Sequence, residues 1–225
     1  RDNIFMARNT LPGTLGIGST VWGNVGRMKS WGTDGTASYT KTFGDFTLEA
    51  RGNFTFTRDK IIDYDEVIPR YPYLAQKGNS YGITRGLIAL GLFKDEDDVK
   101  NSPTQFGTVL PGDIKYQDVN GDGIINSDDI VPIGNARVPK IQYGFAGSAK
   151  WKGLDFNIFF RGAGKSDFFF GGTGFYPYEG ERLGNVLTIV NDQKNRWTPA
   201  SYSGDPATEN PNARFPRLTY GNNSN

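Results

Sequence analysis

The sequence contains no cysteine and no histidine. The first absence rules out a disulfide framework and every thiolate metal site. The second removes imidazole ligands and the commonest general base, so metalloenzyme and triad readings lose most of their chemistry. Long hydrophobic runs are missing too. No window approaches the roughly 18 uncharged apolar residues that a membrane helix needs, so a chain of this kind crosses a bilayer only with strands, closed into a barrel. Charge of one sign is also lacking: 25 Lys and Arg stand against 24 Asp and Glu, a net +1, which gives no electrostatic case for nucleic acid or for a polybasic membrane anchor. No signal peptide opens the chain at Arg1, as expected of a mature or internal segment of an exported protein.

What is present is glycine and aromatic. The 225 residues include 30 Gly, 16 Phe, 11 Tyr and 4 Trp, against a hydrophobic fraction of 36% and a mean hydropathy of -0.51. Many glycines and aromatics with few aliphatics fit a sheet with one apolar and one polar face better than a packed double-layer core. A disordered chain would lack the aromatics.

Two stretches read as β-hairpins. In the first, Thr36 to Phe43 is followed by Gly44-Asp45 and then by Phe46 to Arg58, where Phe46, Leu48, Ala50, Phe54 and Phe56 alternate with Thr47, Glu49, Arg51, Asn53, Thr55 and Thr57. In the second, Ile141, Tyr143, Phe145 and Trp151 share a face, Lys152-Gly153 makes the turn, and Leu154, Phe156, Ile158 and Phe160 alternate with Asp155, Asn157 and Arg161. One face apolar and the other polar is the lipid-out, lumen-in pattern of a barrel strand. A soluble antiparallel sandwich alternates in the same way, and the loops are what separate the two readings.

Residues 59–139 between the hairpins, and a second polar segment from Ser166 towards the end, are rich in Gly, Pro, Asn and Asp and far exceed ordinary connections. Tight turns on one side and long loops on the other match the periplasmic and extracellular sides of an outer-membrane barrel, so 59–139 is expected to be a long extracellular loop. Within it the acidic start and Ser102-Pro103 predict a short helix over Lys94 to Asn101. A second candidate helix runs from Arg182 to Lys194, ahead of Trp197-Thr198-Pro199. No repeat of fixed period is visible.

One motif carries sharp chemistry. Residues 118–129 place oxygen-bearing side chains at positions 1, 3, 5, 9 and 12 of a twelve-residue loop, with Gly123 at position 6, the spacing of EF-hand and dockerin calcium loops. Asp118, Asn120 and Asp122 would converge, Ile124 would offer its backbone carbonyl, Asn126 would bind directly or through water, and Asp129 would close the site. Asp129 stands where a signalling EF-hand has a longer Glu, and strong flanking helices are lacking, which points to a structural calcium clip rather than a switch. The alternative is an Asx-rich turn held by its own side chains without metal.

No catalytic or cofactor-binding set is visible. Asp63, Asp65 and Glu66 have no partner base or nucleophile and read as a solvated acidic run. Gly162-Ala163-Gly164 reads as a strand end. Phe168, Phe169, Phe170, Phe175, Tyr176 and Tyr178 could stack on sugar rings, form an interfacial girdle or build a loop core.

Several phrases, in order along nearly the whole chain, resemble the C-terminal third of SusC/RagA proteins. They are Arg1-Asp2-Asn3-Ile4-Phe5, Gly52-Asn53-Phe54-Thr55-Phe56-Thr57, Tyr71-Pro72-Tyr73, the run from Pro111-Gly112-Asp113 through Gly123, and Pro132-Ile133-Gly134-Asn135. Tyr143-Gly144-Phe145, Phe159-Phe160-Arg161-Gly162, Arg196-Trp197-Thr198-Pro199 and Phe215-Pro216-Arg217-Leu218 follow. The resemblance implies an all-β fold: a segment of an antiparallel transmembrane β-barrel of 22 strands in the bacterial outer membrane, with a plug domain inside it and energy delivered by the TonB complex. It also implies a partner, a SusD-like surface lipoprotein that caps the barrel while oligosaccharides or peptides are imported. Residues such as Glu49, Arg51, Asn53, Asp155 and Asn157 would line the polar lumen.

Against that pattern the plug and the last strands are not in this sequence, so residues 1–225 are expected to be the C-terminal part of a longer receptor. The rival is a secreted, calcium-stabilised β-sandwich acting as a binding or adhesion module, which requires Phe46, Leu48, Phe54, Phe56, Phe156 and Ile158 to pack against a second sheet. A glycan hydrolase would need an acid and a base across a cleft, and no such pair can be chosen.

Overall fold

Gly44-Asp45 and Lys152-Gly153 each join two strands through a two-residue turn. Gly44 has φ 57°, and Lys152 and Gly153 have φ 44° and 86°. Positive φ at the first or at both central residues marks the primed turns, whose twist matches that of the flanking strands. The computed structural model describes residues 1–16, 18–171, 175–178 and 185–219. Its strands are β1 (Ile4–Ala7), β2 (Trp22–Phe43), β3 (Phe46–Asp63), β4 (Ile83–Gly86), β5 (Ala89–Leu92), β6 (Ile114–Tyr116), β7 (Val131–Ala136), β8 (Ile141–Trp151) and β9 (Leu154–Gly164). Among the described residues the α-helices are short: α1 (Glu96–Lys100), α2 (Thr188–Asn191) and α3 (Ala200–Ser203). The chain divides into two units, Arg1–Thr84 with Gly134–Phe168, and Arg85–Ile133 with Phe169–Asn225.

The first unit is built on one antiparallel sheet in the order β1-β2-β3-β8-β9. β3 meets β8 from Phe46↔Trp151 to Phe56↔Ile141, and β8 meets β9 from Trp151↔Leu154 to Ile141↔Gly164. Both tight turns therefore lie at the same end, where Lys152 Nζ comes within 3.8 Å of Asp45 Oδ2, and the chain between the hairpins leaves from the other end. Because side chains alternate, this register aligns Phe46, Leu48, Phe54 and Phe56 with Tyr143, Phe145 and Trp151 and with Leu154, Phe156, Ile158 and Phe160 on one face. Thr47, Glu49, Arg51, Asn53, Ser148, Lys150, Asp155 and Asn157 face the other way.

Glycines and rings are packed as partners. A Cβ at Gly162 would collide with the ring of Tyr143, its register partner, and one at Gly144 would meet Asn53 and Phe159 on the opposite face. A ring laid across a strand glycine fills the space its missing side chain leaves, which is why the two residue types are abundant together.

The strands outrun their expected limits. β2 begins at Trp22 rather than Thr36, and β3 continues to Asp63 rather than Arg58. Gly23, Gly26, Gly32 and Gly35 interrupt the apolar period, yet the backbone ladder runs on from Phe43↔Phe46 to Arg27↔Asp63. The expected 59–139 loop thus begins after Asp63, and it is not structureless, since it holds β4 to β7 and α1. Nor is the acidic run simply solvated. Asp63 pairs with Arg27 at 2.8 Å, Asp65 accepts hydrogen bonds from Asn9 N at 2.9 Å and Thr10 Oγ1 at 2.6 Å, and Glu66 accepts from Gln76 N and Lys77 N. These carboxylates replace the ladder where the strand ends.

In the second unit, α1 falls inside the predicted Lys94 to Asn101 span. Asp95 caps it by accepting from Asp98 N at 2.8 Å, and the first turn holds three acids where the helix dipole favours them. Of the candidate helix Arg182 to Lys194, residues 182–184 lie outside the described residues, and helix is found over Thr188–Asn191 alone. The core gathers three phrases distant in sequence. Gly112, at φ 86°, leaves room for the indole of Trp197, with which any Cβ would collide. Trp197 N donates to Phe215 O at 3.0 Å, and Arg217 N donates to Gly112 O at 2.9 Å. Asp113, fully buried, holds Arg217 with Oδ1 2.7 Å from Nε and Oδ2 accepting from Nη2 at 3.0 Å.

Removing one partner of a buried ion pair strands the other charge, at about 3–5 kcal/mol. Arg217→Ala is therefore expected to lower the local opening free energy of this core by about that amount, read by hydrogen exchange at the amides of Phe93 and Gly112. Unchanged protection there would show that the pair does not hold the core together.

Candidate functional site

The two-faced sheet is itself the site. On its apolar face Phe54 is 49% exposed, Phe145 58% and Phe156 63%. The rival sandwich needs these side chains covered by a second sheet, and among the described residues they are bare. So large a contiguous apolar surface is stable only against an apolar phase or partner. Its height fits a bilayer. The ten steps from Phe46 to Phe56 at about 3.3 Å each span roughly 33 Å along the strand, which at a tilt of about 40° is roughly 25 Å along the normal, the height of the apolar band on outer-membrane barrels.

The opposite face carries every residue expected to line a lumen. Glu49 lies opposite Ser148, and Ser148 opposite Asn157, so one row crosses three strands. Asp155 lies opposite Lys150, whose Nζ is 4.0 Å from its Oδ1. Arg51 sits opposite Ala146 and Asn53 opposite Gly144. Acids, bases and amides are interspersed, an arrangement suited to hydrating a passage rather than to binding an ion of one sign. Phe159 also points to this face, which the alternation by itself did not single out.

The calcium-type loop forms a closed turn. Asp118 accepts from Gly121 N at 2.7 Å and Gly123 N at 2.8 Å, Asn120 Oδ1 accepts from Asp122 N at 2.8 Å, and Asp122 Oδ1 accepts from Ile124 N at 2.9 Å. Asn126 Oδ1 accepts from Asp128 N at 2.6 Å. Asp129 is fully buried and accepts from Val119 N at 2.8 Å and Asn126 N at 2.9 Å. Gly121 and Gly123 take φ 76° and 82°. The donors are all oxygens, as calcium prefers, but among the described residues no three His, Cys, Asp or Glu side chains converge as a metal cage. Backbone N–H groups already meet the carboxylates.

Gly162-Ala163-Gly164 ends β9, as read from the sequence. Phe168 is 81% exposed, and Phe170, itself exposed, meets Phe175 at a tilt with ring centroids 5.4 Å apart, so these rings form no buried loop core. Asp63, Asp65 and Glu66 are spent on backbone and cations, and the Thr10 hydroxyl foremost holds the Asp65 carboxyl below the usual carboxylate range. Asp167 is held below it in the same way, chiefly by the Asn135 side chain, whose Nδ2 donates to it at 3.2 Å. Sequence reasoning missed the Asp113 and Arg217 pair. The signal lay in the phrases that contain them, but nothing in their spacing says that they meet.

An antiparallel sheet with a bare apolar face of bilayer height, a polar reverse face and both tight turns at one end defines a segment of a transmembrane β-barrel. No protein-family model matches the chain. Among curated proteins, TonB-dependent receptor P26 of Formosa agariphila is 28% identical over 229 residues, covering 96% of this chain and 21% of the receptor. TonB-dependent receptor P3 of the same organism is 25% identical over 223 residues, covering 93% of this chain and 21% of the receptor. The chain thus spans about a fifth of the length of these relatives. Among solved structures, the RagAB peptide importer in its closed-closed state superposes with a TM-score of 0.51 at 19% identity, covering 73% of this chain and 18% of that one. The open-open state gives 0.51 at 18% identity, with 73% and 17% covered. The chain is similar along nearly its whole length to TonB-dependent receptors, and its fold is that of a barrel segment like the one in the RagAB importer.

The orientation of the faces is testable by charge. Ala50→Arg, mid-height on the apolar face, is expected to cost the full-length receptor about 2–4 kcal/mol in lipid vesicles, and Asn53→Arg on the polar face less than about 1 kcal/mol. Denaturant unfolding from the vesicles measures both, and equal costs would overturn the assignment of faces.

Proposed function

We propose that this chain forms part of the barrel of an outer-membrane, TonB-dependent importer that works with a SusD-like surface lipoprotein to take up oligosaccharides or peptides. The observation that carries the reading is the bare apolar face of bilayer height backed by a polar face bearing Glu49, Arg51, Asn53, Asp155 and Asn157. The similarity to TonB-dependent receptors and to the fold of a peptide importer supports it. In this reading the polar face hydrates the route that substrate takes once TonB has displaced the plug. The chain between the hairpins faces outward beneath the lipoprotein lid. The step is capture and passage, with no covalent chemistry.

In cells carrying the full-length receptor, uptake of oligosaccharide or peptide should stop when the inner-membrane proton gradient is collapsed, and a lipoprotein should co-purify from detergent extracts. Uptake that persists without the gradient would mean a passive pore. A receptor that purifies alone and without detergent would restore the binding-module alternative.

Calcium at 118–129 belongs to the same proposal, as a structural ion held by Asp118, Asn120, Asp122, the Ile124 carbonyl, Asn126 and Asp129. The loop spacing and the all-oxygen donor set support it, while the hydrogen-bonded closure favours a loop that stands without metal. About 1 mM calcium is expected to raise the protease resistance of this segment in the full-length receptor relative to chelator, and Asp118→Ala to abolish the difference. No difference in the unmodified receptor would assign the loop to its Asx turns alone.

A further inference from the structure

At the end of the sheet away from the tight turns, three cations stand on the apolar face with no acid beside them. Along that face the register sets Gly35 opposite Phe54, Thr33 opposite Phe56, Trp31 opposite Arg58 and Lys29 opposite Lys60. Lys29, Arg58 and Lys60 are exposed, and among the described residues none lies within 4.0 Å of a carboxylate. The neighbouring acids are engaged elsewhere: Asp63 with Arg27 at 2.8 Å and Lys77 at 3.3 Å, Asp59 with Lys140 at 3.5 Å, and Asp2 with Arg27 at 3.9 Å. Like charges placed directly opposite on adjacent strands destabilise a sheet, so Lys29 facing Lys60 is a cost that no carboxylate among the described residues offsets.

The aromatics beside these cations fix where they stand. Lys29 Nζ lies 5.9 Å from the ring centroid of Trp31, and the Arg58 guanidinium lies 5.4 Å from that of Phe56. Phe56 closes the apolar band. Arg58 and Lys60 follow it by two and four residues, which at about 3.3 Å per residue and a tilt of about 40° puts them roughly 5 and 10 Å above the band's edge. That is the depth of lipid headgroups, and Trp31 has the amphipathic ring typical of the boundary.

We propose that Lys29, Arg58 and Lys60, with Trp31 beside them, bind the phosphate groups of phosphate-bearing lipids in the outer leaflet. A phosphate between Lys29 and Lys60 turns their repulsion into two attractions, and the Arg58 fork offers paired N–H donors to its oxygens. The proposal rests on the membrane reading of the sheet. Lys41, near the tight-turn end of the same face with its Nζ 4.9 Å from the Phe43 ring, provides a comparison charge outside the cluster.

The test uses the full-length receptor in detergent, with retained lipid counted by native mass spectrometry. The probes are lipid A carrying two phosphates and the same lipid with its phosphates removed. The unmodified receptor should retain the phosphorylated form preferentially. The triple variant Lys29→Gln, Arg58→Gln, Lys60→Gln should lose that retention by roughly tenfold to a hundredfold, and Lys41→Gln should keep it. Equal retention of the two lipids by the unmodified receptor, or an unaltered triple variant, would overturn the site. If the triple variant does not fold, the two-lipid comparison on the unmodified receptor decides. A receptor that stays in solution without detergent would sink the membrane reading and the site together. One that needs detergent but ignores lipid phosphate sinks the site alone.

Discussion

The β3 to β8 ladder is the constraint on which the first unit depends. It joins residues on the order of a hundred positions apart, from Phe46↔Trp151 to Phe56↔Ile141, and makes one surface of two hairpins that neither could maintain alone. In an apolar surrounding the N–H and C=O groups of these strands have no water to turn to, so the ladder must be complete. Its register is equally binding, because a slip of one residue would carry Glu49 and Arg51 to the apolar face and Phe54 and Phe56 to the polar one. Two contacts across the ladder hold it, the ring of Phe145 packed 3.5 Å from where a Cβ on Gly52 would stand and Asn53 set where a Cβ on Gly144 would collide, while the two primed turns fix the hairpins on either side.

That dependence explains what the sequence disclosed and what it did not. Phe46 to Phe56 and Leu154 to Phe160 were legible because each alternates cleanly, and a strand with one apolar face cannot hide its period. Trp22 to Gly35 was not legible. Its apolar-face positions hold Lys29, Trp31, Thr33 and Gly35, and only pairing with β1 and β3 makes it a strand, a tertiary fact no local window contains. β1 was unreadable for the same reason, being four residues defined by their partner. Of the candidate site, the positions of Glu49, Arg51, Asn53, Asp155 and Asn157 on one face were legible from the alternation, and that of Phe159 beside them was not. The union of Asp113 with Arg217 was not, since loop closure over 104 positions leaves no periodic trace.

The acidic residues outside the strands share a role that their spacing concealed. Where the ladder stops, backbone N–H groups still require acceptors, and here carboxylates supply them: Asp65 to Asn9, Glu66 to Gln76 and Lys77, Asp113 to Leu110, Asp118 to Gly121 and Gly123, Asp129 to Val119 and Asn126, and Asp167 to Asn135. A carboxylate offers several lone pairs at the end of a short arm, so it can close an irregular turn that no strand partner reaches. The hydrogen bonds that hold Asp65, Asp98 and Asp167 below the usual carboxylate range favour the charged form, so each contributes stability that is present above its unfolded value and fades as pH falls through its lowered one. The sheet owes its cohesion to backbone pairing, which does not titrate. The two parts of the molecule therefore rest on different physics, and this is why an abundance of Asp, Asn and Gly that resembles disorder in the sequence folds into ordered loops.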